Sequence, residues 1–87
     1  MLDPFDNLSE GELREHAQGL FLHPHFRILP MLLLHLELKI LRDGKQPGVD
    51  PGETILFLRV LEEIRNTIRA FAATYEVNHD PFERYEL

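Results

Sequence analysis

The sequence predicts an all-α protein: a short N-terminal helix followed by a helical hairpin, a three-helix arrangement completed by oligomerisation or by a partner. Two long stretches repeat apolar residues at spacings of three and four, the period of one helix face. Capping signals precede the first and third helices, and a loop rich in glycine and proline separates the second from the third. The second stretch, Phe26 to Leu41, holds 11 apolar residues in 16, more than one buried face of a small domain requires.

The first helix is expected over about 10–22. Ser9-Glu10-Gly11-Glu12 has capping-box spacing, and Leu8 and Leu13 stand at the two positions of a hydrophobic staple. Leu13, Ala17 and Leu20 then form one stripe, and Pro24 ends the helix because it pushes residue 23 out of the helical region. The second helix is expected over about 25–42, starting at Pro24 or Pro30. Phe26, Leu29, Leu33, Leu36 and Ile40 make one row; Met31, Leu34, Leu38 and Leu41 make another. Pro30 either kinks this helix or belongs to its first turn. Leu34 to Ile40 also alternates at strand period, but leucine favours helix and the stretch lacks valine, threonine and aromatics.

Asp43 to Gly52 reads as a loop, and Asp50-Pro51-Gly52-Glu53 as the N-cap and first turn of a third helix over about 51–75. Phe57, Leu61, Ile64, Ile68, Phe71 and Tyr75 are its regular apolar row, with Arg59, Glu62, Asn66 and Arg69 opposite. The hairpin core is therefore expected where Leu33, Leu36 and Ile40 meet Leu61, Ile64 and Ile68. Leu13, Ala17 and Leu20 would cover part of the second row. Segments 1–8 and 77–87 are expected as flexible or partner-bound arms of a single domain.

Composition bounds the function. Fifteen acidic against nine basic residues give a net charge of −6, which removes the electrostatic term most nucleic-acid binders use. No direct nucleic-acid contact is expected. The absence of cysteine excludes disulfides and thiolate chemistry, which fits a cytosolic protein. The acidic start lacks the pattern of a secretory signal, and the apolar run Ile28 to Leu34 is too short to span a bilayer. A soluble chain without a membrane partner is expected.

No chemistry converges. His23-Pro24-His25 would need His16 or His35 to approach a transition-metal site; a polar hinge or helix start accounts for it better. Glu62-Glu63 resembles the carboxylates of magnesium-dependent helical hydrolases only in type, because Glu62 stands beside arginines on the solvent side. Lys39, Arg42, Arg59, Arg65 and Arg69 interleave with acids as a solvated face does. No catalytic, cofactor or metal residue is assigned, and the chain reads as non-enzymatic. Asp3-Pro4-Phe5 and Asp80-Pro81-Phe82 repeat a tripeptide similar to the short motifs with which endocytic accessory proteins bind adaptors, yet Asp-Pro is also an ordinary turn start. The partner-binding residues expected are Met31, Leu34, Leu38 and Leu41, with Phe5 and Phe82 as exposed anchors on the two arms.

Phe21, Pro24 and Phe26 before a leucine-rich helix, then the Gly/Pro loop, then a helix carrying Ile64-Arg65-Asn66, resemble the small helical accessory proteins that tailed bacteriophages encode among their head and tail assembly genes. The likeness covers Leu20 to Phe71 and lies in layout. It implies a virion or assembly component in the host cytoplasm or virion, binding capsid, portal or tail proteins. The alternative is a small acidic cytosolic regulator, dimeric and mimicking DNA.

Overall fold

A computed structural model describes residues 3–85. Three helices carry the fold: α1, Glu10–Phe21; α2, Ile28–Asp43; and α3, Pro51–Thr74. Two 3-10 turns, Pro4–Asn7 and Pro24–Arg27, precede α1 and α2, and no strand occurs among the described residues. Leu34 to Ile40 is thus helical.

Local chemistry sets the helix ends. The Ser9 hydroxyl accepts the Glu12 amide at 3.1 Å to open α1. Between α1 and α2 the His23 Nδ1 accepts the His25 amide at 3.1 Å, so the His-Pro-His segment starts a turn. Pro30 is the third residue of α2 and fully buried; at that position the missing N–H is one the helix has no acceptor for. Asp50 caps α3 by accepting the Gly52 amide at 2.9 Å, with Pro51 in the first position.

At its other end α3 closes in a Schellman motif: the Glu76 amide donates to the Ala73 carbonyl at 3.3 Å, and the Val77 amide to the Ala72 carbonyl at 3.0 Å. Glu76 takes the left-handed conformation there, φ 64°, which costs a non-glycine residue roughly 1–2 kcal/mol. Val77 offsets that by burying itself beside Ala72.

Ala17, Phe21, Phe26, Ala72 and Val77 form the hydrophobic core, flanked by Leu29, Ile68, Phe71 and Tyr75. The Phe21 ring meets Phe26 edge-on at 4.9 Å and Phe71 at 5.9 Å, both within the favourable range for aromatic pairs. All these residues lie where α1 and the start of α2 meet the C-terminal half of α3. Among the described residues no third helix covers the hairpin beyond them.

The two hairpin helices meet along a seam that differs from the one the sequence predicts. On α3 and its C-cap the buried and half-buried residues include Thr54, Leu58, Leu61, Arg65, Ile68, Ala72 and Tyr75, a row spaced by four and three, with Arg69 and Phe71 half-buried beside it. On α2 they include Pro30, Leu33, Glu37, Ile40 and Gly44. Leu36 and Ile64, expected in the core, are 42% and 40% exposed. Each helix turns one charged residue inward instead: Arg65 Nη2 donates to Glu37 Oε2 at 2.9 Å. The Arg65 side chain is 2% exposed and that of Glu37 16%. Its long stem fills the space an aliphatic residue would occupy while the head finds its counter-charge.

At the loop end the helices approach so closely that a Cβ on Gly44 would stand 2.8 Å from Thr54 Oγ1. α1 packs on α3, and its inward stripe is Leu13, Ala17 and Phe21; Leu20 is exposed. The stripe expected to cover part of the second row of α2 lies on α3 instead, with Phe21, which meets the Phe71 ring, in place of Leu20. The Cα trace measures 50 × 33 × 16 Å, with a radius of gyration of 15.8 Å against about 12 Å for a compact domain of this length.

Candidate protein-interaction surface

The uncovered part of the hairpin displays an apolar ridge. Val60 and Ile64 stand one turn apart on α3, both exposed, with Phe57 one turn before them. A shallow groove of about 360 Å³ runs along one side of the ridge, lined by Leu36, Ile40, Phe57, Val60, Leu61 and Ile64. A second, of about 410 Å³, follows the other side between Arg59, Val60, Glu63, Ile64, Thr67 and Ile68. The surface arises because α3 carries two interleaved apolar rows and α2 covers only one of them. The exposed row was hidden in the sequence by being assigned, through Phe57 and Ile64, to the core.

The residues singled out from the sequence fall differently. Met31 and Leu38 are exposed on α2, whereas Leu34 and Leu41 are half-buried. Met31 lines a separate hollow with His25, Arg27, Ile28 and Tyr85. Phe5 is 53% exposed and stacks on Phe71, ring centroids 5.6 Å apart.

Phe82, expected as an exposed anchor, is fully enclosed. In residues 77–85, the described part of the segment expected as a flexible or partner-bound arm, the chain turns back on itself for a local reason. Asp80 Oδ1 accepts both the Phe82 amide at 2.9 Å and Arg69 Nε at 3.1 Å, and the Arg69 guanidinium lies 5.2 Å above the Phe82 ring. Asp3 makes the same turn by accepting the Phe5 amide at 2.9 Å. Both Asp-Pro-Phe segments are thus closed turns that direct phenylalanine back onto the chain.

A scan against protein-family models finds no match, and no curated protein or solved structure matches the chain. The surface is therefore read from its own chemistry. The His23 and His25 rings lie 5.2 Å apart, and among the described residues no group of three or more His, Cys, Asp or Glu is placed to hold a metal ion. No described helix is long and apolar enough to cross a membrane.

Burial pushes the Asp80 carboxyl upward, but the Phe82 amide and Arg69 together hold it below its ordinary value. A carboxyl depressed in the folded state adds stability above its unfolded pKa of about 4 and loses it as pH falls through the folded value. Asp80→Asn should therefore loosen the 77–85 turn at pH 7, seen as faster exchange of the Phe82 amide. That difference from the parent should vanish in acid. A difference that persisted unchanged at pH 2 would show that the charge of Asp80 is not what holds the turn.

Proposed function

We propose that the chain is a non-catalytic interaction subunit whose working surface is the apolar face of its hairpin. The observation that carries this reading is surplus surface. The chain exposes 6767 Å², where a folded monomer of 10.2 kDa exposes roughly 5,300 Å². Among the exposed large apolar side chains, Leu36, Phe57, Val60 and Ile64 are grouped along one groove. A contiguous exposed apolar patch on a small protein marks a protein partner.

The resemblance of the sequence layout to phage head and tail accessory proteins favours a structural role within an assembly, binding capsid, portal or tail components. It adds no residue to the surface. Light scattering coupled to size exclusion at tens of micromolar, with an apolar-surface dye added in parallel, tests the reading. Assembly, or a monomer that lights the dye, supports it; a monomer that leaves the dye dark overturns it.

A further inference from the structure

We infer that the partner on the Val60/Ile64 ridge is a second copy of this chain, packed antiparallel so that two hairpins form a four-helix bundle. This rests on the interaction reading above and names its occupant.

Two observations converge. The shape is self-complementary, because a twofold interface must present the same patch on both sides. Here a ridge of Val60 and Ile64 stands between two shallow grooves of about 360 and 410 Å³, so two copies of the ridge can meet with their side chains interleaved along the helix.

The charge is right as well. The chain carries −6 overall, yet α3 holds Glu53, Glu62 and Glu63 against Arg59, Arg65 and Arg69 and is neutral. Two copies therefore meet through a helix that adds no net repulsion of its own. Arg59 and Glu63 lie one turn apart on the same rim of the ridge. A twofold axis in the interface plane, crossing α3 at the level of residue 61, sets Arg59 of each copy against Glu63 of the other. It also interleaves Val60 and Ile64 with their counterparts.

The charge pair supplies a test that leaves the fold alone. Arg59→Glu and Glu63→Arg each place like charges together twice across the axis, so each single variant should weaken dimerisation several-fold, measured by sedimentation equilibrium at low salt. The double variant restores opposite charges and should return the parent affinity. Val60→Asp should abolish the dimer while circular dichroism stays helical, and Leu38→Asp, on α2, should leave it intact.

Single variants that weaken the dimer without rescue by the double variant overturn the antiparallel register. A dimer indifferent to Val60→Asp and lost in Leu38→Asp overturns this surface but keeps the interaction reading. A parent monomer that binds the dye overturns self-pairing alone; one that does not overturns both. Should Val60→Asp unfold, the two charge variants decide.

Discussion

Glu37→Ala should cost about 3–5 kcal/mol, the penalty for stranding a buried charge. The Arg65 side chain it abandons is 2% exposed, so water reaches the guanidinium only if the two helices part. Its Nε has no hydrogen-bond partner among the described residues, which leaves Glu37 as the group that compensates the charge. The pair itself need not be stabilising. Replacing both partners, Glu37→Leu with Arg65→Met, fills the seam with carbon of similar volume and should recover most of the loss or exceed the parent. Urea denaturation at one fixed protein concentration reads both outcomes and keeps any association constant across variants. A neutral Glu37→Ala would mean that the seam is open to water.

Phe21→Ala should cost a similar amount, about 3–5 kcal/mol, for a different reason. Phe21 is 4% exposed and touches rings from two other parts of the chain, Phe26 and Phe71. Its removal leaves a cavity at the junction where α1 joins α3, and the flanking rings are too constrained to fill it. Leu20→Ala, one residue away and exposed, should change stability by less than about 0.5 kcal/mol. Thermal and urea midpoints of the two variants compare them directly. Equal effects would show that α1 is rotated from the orientation described.

Helix existence was legible because its determinants are local. Ser9, Asp50 and the Gly/Pro loop act on residues within one turn, and the structure uses each where its spacing places it. The face of each helix was legible only in part. Counting apolar residues selects Leu36 and Ile64 and passes over Glu37 and Arg65, since no rule of hydrophobic periodicity can know that two charges 28 positions apart neutralise each other. The resulting error is a rotation of about one residue on α3, enough to exchange buried Arg65 for exposed Ile64. Phe82 was misjudged likewise: it lies outside the long helices, and its burial depends on Arg69 and on Asp80 closing the turn. The exposed apolar surface was half legible. Excess apolar character was plain in α2, but the ridge stands mainly on α3.

The separation between the aromatic cluster at one end of the molecule and the single seam at the other has a consequence for how the chain breathes. Amides near the Phe21 cluster should exchange only when most of the structure is lost, whereas those of α2 and α3 nearest the loop, which depend on one line of contacts, should open at lower free energy. Anything that binds the ridge protects the looser end first. Under the proposed function, occupancy of the ridge would register as rigidity in the hairpin tip, with the aromatic end as a fixed base.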